Sequence, residues 1–149
     1  MGSDDIESGP VVRAQILSLK GIEPVACPCG FARRAFGKSA EAPVSVHYTQ
    51  ITRAARTHYH REHHEIYVVL SCEAGAAMEL DGVLHPLEPL MAVSIPPFVR
   101  HCAIGEATII NIVSPPFDPA DEWFDPAPAA TPREAVHQGY LSNEAQHAE

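Results

Sequence analysis

The feature that most constrains this chain is the spacing of its apolar runs, which are short, rich in β-branched residues and closed off by turn formers about every ten positions. Val44, Val46 and Tyr48 alternate with Ser45, His47 and Thr49, the period of a half-buried strand. Residues 66–70 form the run Ile-Tyr-Val-Val-Leu, and residues 76–80 lead into Asp81-Gly82, a dipeptide suited to a tight hairpin from which 83–87 return antiparallel. Residues 91–95 precede a Pro96-Pro97 turn, and 108–113 supply the last run. Five or six such strands with no convincing helix between them indicate an antiparallel sandwich or barrel and exclude a parallel α/β fold. The 14 prolines, most of them between and after these runs, would break a bundle of long helices.

A chain of 149 residues is one domain's worth, enough for a core without disulfides. Residues 1–10 are polar and acidic and read as a disordered leader. Residues 11–42 form an N-terminal arm in which Val11-Val12 or Ile16-Leu17 supplies an edge strand and Cys27-Pro28-Cys29-Gly30 a turn. The barrel occupies 43–115, and 116–149 form an irregular tail, with a short helix near 132–141 and fraying past about 142. Phe117, Trp123 and Phe124 pin that tail across the barrel.

A formal net charge of −9 without a Lys/Arg cluster argues against a nucleic-acid partner. The only basic pair, Arg33-Arg34, reads as solvated surface. No apolar run is long enough to cross a bilayer, so no membrane role is expected. Cys27, Cys29, Cys72 and Cys102 do not form a disulfide framework, and Cys27-Pro28-Cys29 is too tight for the C-x-x-C pattern, which places the chain in a reducing cytoplasm.

Four of the nine histidines fall between 58 and 64, just before the 66–70 run. In extended chain, residues two apart share a face, so His58 and His60 can present both imidazoles to one ion. Glu65 lies at an odd offset and joins them only if residues 61–64 form a turn or bulge that resets the alternation. It then points inward with Tyr67 and Val69. His101 follows the Ile-Pro-Pro turn on a distant strand. Three imidazoles and a carboxylate suit one divalent transition metal, Fe, Mn, Ni, Zn or Co, with open positions for a ligand. His63 and His64, in the presumed turn, are expected to face solvent. Tyr67 and His47 are the candidates for proton transfer or for holding a substrate oxygen, and Arg100 either meets an anion at the barrel mouth or is a rim residue.

At these positions the sequence resembles the cupin superfamily, whose two motifs are G-x5-H-x-H-x(3,4)-E-x6-G and G-x5-P-x-G-x2-H-x3-N. His58, His60 and Glu65 fit the first, and Pro96 and His101 the second, in order and spacing. Thr52 and Cys72 replace the glycines of the first motif, Leu90 and Phe98 those of the second, and Gly105 replaces its asparagine. The resemblance covers about residues 43–115 and implies a double-stranded β-helix, the cupin jelly-roll barrel, with the metal inside one mouth. It also implies dimerisation, so a homodimer is expected. The leading expectation is a metal-dependent enzyme, dioxygenase-like or isomerase/lyase-like, acting on a small-molecule ligand. A non-catalytic barrel that binds a metal or small ligand is the alternative, and a structural barrel that has lost its metal is the third reading.

Overall fold

The computed structural model describes residues 13–38 and 41–126. The leader over 1–10, Val11-Val12, the short helix near 132–141 and the fraying end lie outside the described residues. The nine strands, in chain order, are β1 (Val25–Cys27), β2 (Gly30–Ala35), β3 (Ser45–Ile51), β4 (His64–Cys72), β5 (Ala77–Leu80), β6 (Val83–Pro86), β7 (Ala92–Ile95), β8 (His101–Ile104) and β9 (Ala107–Ser114). Helical structure among the described residues includes the single 3-10 turns Leu19–Gly21 and Pro119–Asp121, and no helix there is long and apolar enough to cross a membrane.

All strand pairs are antiparallel. One sheet has the order β1-β2-β3-β9-β4-β7 and the other β6-β5-β8, the two-sheet arrangement of a jelly roll. The last strand is inserted between β3 and β4, so the segments that carry His47 and Glu65 are brought together only by residues more than forty positions further on.

Between the sheets lies a core of Ile51, Val69, Ala76, Met78, Leu87, Ile95, Ala107 and Ile109, with Val69 and Ile109 fully buried. Removing side chains of that size from water is worth roughly 1.5–3 kcal/mol each. The Asp81-Gly82 hairpin forms as its dipeptide requires, with φ of 47° and 82° and Leu80 opposite Val83.

The N-terminal arm differs from expectation. Ile16 and Leu17 are exposed and outside any strand, while the edge is β1 paired with β2. The turn at 27–30 is where the sequence puts it, and Gly30 determines how β2 docks. A Cβ there would lie 2.0 Å from the Gln50 carbonyl oxygen, so only glycine lets β2 close onto β3.

Leu90 and Phe98, which stand where the cupin motif has glycine, adopt φ of 70° and 69°. The turns are therefore kept, at a backbone cost of about 1–2 kcal/mol for each non-glycine residue. Along β3 the alternation is as expected in period, but the more buried face is the polar one: Ser45, His47, Thr49 and Ile51 are buried while Val46 and Tyr48 are half-buried. Of this face, His47 and Thr49 line a cavity, and Ile51 joins that wall to the core.

Candidate metal centre and cavity

His58 and His60 lie on the segment that enters β4. His58 bridges to His101 at the start of β8 through paired backbone hydrogen bonds of 3.1 and 2.9 Å, which carries the second motif to the first. Tyr59 is bridged in the same way to Trp123 of the tail. The reset that Glu65 needs is made by Asp121, whose carboxylate accepts the backbone N–H groups of Arg61 (3.0 Å), Glu62 (3.0 Å) and His63 (2.9 Å) and the Trp123 indole N–H (3.1 Å). Burial alone would raise the Asp121 carboxyl, but those donors hold it down at about 2.

One donor atom from each of His58, His60, Glu65 and His101 lies within 4.8 Å of the others, and all but the half-buried His58 are buried. Each imidazole is fixed through its Nδ1. His58 faces the Arg56 carbonyl (3.1 Å), His60 that of Asp121 (2.6 Å) and His101 that of Val99 (3.0 Å). A carbonyl oxygen only accepts, so each Nδ1 carries the hydrogen and each Nε2 keeps its lone pair for the centre of the cluster.

Glu65 Oε2 lies 3.0 Å from His101 Nε2 and 3.3 Å from His60 Nε2, while Oε1 accepts from Asn111 Nδ2 at 2.7 Å. Burial would raise Glu65, but His101 and His60 outweigh it and hold the carboxyl far below its ordinary value. Burial lowers His58 to about 4, with the neighbouring His101 adding to the effect, so His58 is neutral. Burial also acts against the charged form of His60, yet the Glu65 carboxylate raises it overall. His60 Nε2 has no aligned hydrogen bond although it is buried.

Beside the cluster is a cavity of about 100 Å³. Its walls include both candidates for proton transfer, Tyr67 and His47, together with Asn111, Glu122, Phe117 and Arg34. His47, Asn111 and Tyr67 are cross-strand partners on β3, β9 and β4, and so form one polar row. Burial pushes the Tyr67 phenol well above its ordinary value. It also lowers His47 to about 4, assisted by the charge of Arg34. Ser45 Oγ accepts from the Phe117 backbone N–H at 2.9 Å and is hydrogen-bonded to His47 Nε2 at 3.0 Å.

Several residues stand elsewhere than expected. His63 is buried, not solvent-facing: the tail folds over it, its Nε2 accepts from the Asp118 N–H at 3.1 Å, its Nδ1 faces Asp121 Oδ2 at 3.1 Å, and Phe117 stacks on its ring. His64 is half-buried and joined to Ser94 Oγ at 2.7 Å. His60, His63 and Asp121 form a second close group, but the Asp121 oxygens are already engaged by backbone donors. Arg100 is held by Asp125 at 2.8 and 2.9 Å and lies over the Tyr59 ring, which makes it a clasp on the tail. Arg34 is a cavity residue, unlike the surface residue its neighbour Arg33 suggests. Asn111, Asp121, Glu122 and Arg34 carry no local sequence signal, because each reaches the site from a strand or tail with no motif around it.

This two-sheet barrel, with three imidazoles and one carboxylate drawn together inside it, has the cupin fold. A protein of known crystal structure from Planctomyces limnophilus is 70% identical over 75% of this chain and 97% of its own, with a TM-score of 0.74, so the two are members of one family. The Streptomyces nucleoside dehydratase Pac13 shares the fold at 15% identity, over 74% of this chain and 89% of its own, with a TM-score of 0.62. Ectoine synthase from P. lautus shares it at 16% identity, over 80% and 95%, also with a TM-score of 0.62. No model of a protein family matches the sequence, and no curated protein matches it significantly.

Proposed function

We propose that this chain is a divalent-metal-binding cupin that transforms a small molecule, with His58, His60, Glu65 and His101 as the metal ligands. The observation that carries this reading is the wiring of the cluster: three Nδ1–H groups are each tied to a backbone carbonyl, leaving three Nε2 lone pairs beside one carboxylate. Without a cation, lone pairs facing a carboxylate at 3.0 and 3.3 Å repel unless protons intervene. The set of three nitrogens and one oxygen fits Fe(II), Mn(II), Co(II), Ni(II) or Zn(II). When bound, such an ion supplies a Lewis acid or redox centre with positions open to a ligand.

The protein's own groups would orient that ligand. Asn111 steadies Glu65 as an outer partner of the ligand set. Tyr67, kept protonated by burial, donates a hydrogen bond to a substrate oxygen and does not act as a base. His47, neutral and aligned by Ser45, is its partner across Asn111 in handling a proton. Enzymes that share this fold, a dehydratase and a synthase, support an enzymatic role. The partly exposed apolar outer row of Val46, Ile112 and Ile66 supports a homodimer, and four free thiols suit a reducing cytoplasm.

The deciding experiment is elemental analysis of protein purified without chelators, beside His101→Ala prepared identically. We expect close to one equivalent of a transition metal in the wild type and its loss in the variant. A metal-free wild type whose melting temperature does not move on addition of Fe(II), Mn(II), Co(II), Ni(II) or Zn(II) would end the metalloenzyme reading.

A further inference from the structure

Among the described residues Arg34 is the one arginine or lysine on the cavity wall, and it is the cation that the fold leaves without an acceptor there. Several cations elsewhere are committed: Arg33 to the Ile22 carbonyl, Lys38 to Asp118, Arg56 to the Asp125 carbonyl and Arg100 to the Asp125 carboxylate. Among the described residues Arg34 has neither an ion pair nor a side-chain hydrogen bond, and its Nε is buried and unpaired. The guanidinium lies over the Phe117 ring at 4.7 Å, a contact that uses its flat face and leaves the N–H edge free.

A buried donor left unsatisfied is destabilising, so such an arrangement persists where a ligand or water completes it. A guanidinium edge matches a carboxylate with two parallel hydrogen bonds. Arg34 also continues the polar row: it pairs with His47, which pairs with Asn111, which pairs with Tyr67. Three strand spacings, about 14 Å between the outer Cα atoms in a flat sheet, separate Arg34 from the strand of Glu65. The long Arg34 side chain spans part of that, and a molecule of a few carbons spans the rest.

We propose that Arg34 makes the cavity a receptor for a small carboxylate, gripping its anionic end while an oxygen at the other end meets the cluster of His58, His60, Glu65 and His101. This rests on the reading of that cluster as a metal centre and adds the substrate class. It also gives an acidic chain a cavity in which a metal ion and Arg34 outweigh Glu65 and Glu122.

The test is calorimetric titration of metal-loaded wild type, Arg34→Met and Arg34→Lys with oxalate, malonate, succinate and glutarate, each beside its uncharged diamide, with metal content measured on every sample. We expect at least one diacid to bind the wild type about tenfold or more tightly than its diamide. That preference should fall about tenfold in Arg34→Met at full metal content, leaving only the part owed to the carboxylate on the metal, and fall less in Arg34→Lys, which keeps the charge. Equal binding of acid and amide by the loaded wild type, or a preference undiminished in Arg34→Met, overturns the proposal and leaves the metal centre standing. Should the wild type hold no metal, the centre is refuted, and the same titrations of metal-free protein decide Arg34 alone: a preference lost in Arg34→Met keeps the carboxylate site, and no preference removes it.

Discussion

Along β4, Val69 is fully buried against Ile109 and the rest of the apolar core, whereas Glu65 and Tyr67, on the same face of the same strand, meet His60, His101 and Asn111. The same change of character runs through β3 and β9, where Ile51 and Ile109 belong to the core and also form the apolar wall of the cavity, whose polar wall is made by His47, Thr49 and Asn111. The apolar half needs only volume and shape, because dispersion and burial are non-directional. The polar half needs direction, and nearly every group there is fixed by a backbone carbonyl, a backbone N–H or the tail. One half makes the barrel stable and the other makes it specific.

The sharpest way to break that division is Ile109→Ala in the core. It should cost about 2–5 kcal/mol of stability, read by chemical denaturation, while leaving metal content at low temperature unchanged. Simultaneous loss of metal at temperatures where the fold survives would show that the halves are not separable.

Asp121→Asn acts on the other half. An amide cannot accept on both sides, so backbone donors at residues 61–63 lose their partner, at about 1–3 kcal/mol. Metal affinity should fall about 10–100-fold, because the Asp121 carbonyl that orients His60 shifts with the turn. With its carboxyl at about 2 in the folded protein and an ordinary value of 3.8, Asp121 stabilises the fold fully above about pH 4, and that contribution is lost as pH falls toward 2. The variant's acid-unfolding curve should lack this component; an unchanged curve would show that Asp121 does not hold the turn.

What is legible in the sequence divides along the same line. The strands of 43–115 and the four candidate ligands are readable because period-two alternation and fixed motif spacing are local properties. His63 reads as a solvent-facing turn residue because its burial comes from residues 117–121, about 55 positions away, through long-range contacts that leave no pattern around it. Arg34 is hidden for the same reason, since the pair Arg33-Arg34 looks like surface until β2 is paired with β3 and one of the two turns inward. Apolarity points to Ile16-Leu17 as the edge strand, whereas the strand forms where Gly30 permits close approach.

The smallest expected effect concerns the missing glycines. Leu90, 86% exposed at φ of 70°, makes little contact to offset its strain. Leu90→Gly should therefore raise stability by about 0.5–1 kcal/mol, the relieved backbone energy less the added chain entropy, with no change in metal content. A loss of stability would mean that the leucine side chain is held by something beyond this chain.

The clasp of Asp121 on residues 61–63 also orders events in time. A chain leaves the ribosome from its N-terminus, and β9, which unites β3 with β4, ends at Ser114. The barrel can close at that point, yet His60 gains its orienting carbonyl only when Asp121 arrives, and Trp123 then seals the strap against Tyr59. Orientation of His60 is therefore a step that follows closure of the strands. A chain made as far as Ser114 already holds all four proposed donors but with His60 not yet oriented, so on the proposed reading metal would be held tightly only after the tail has docked.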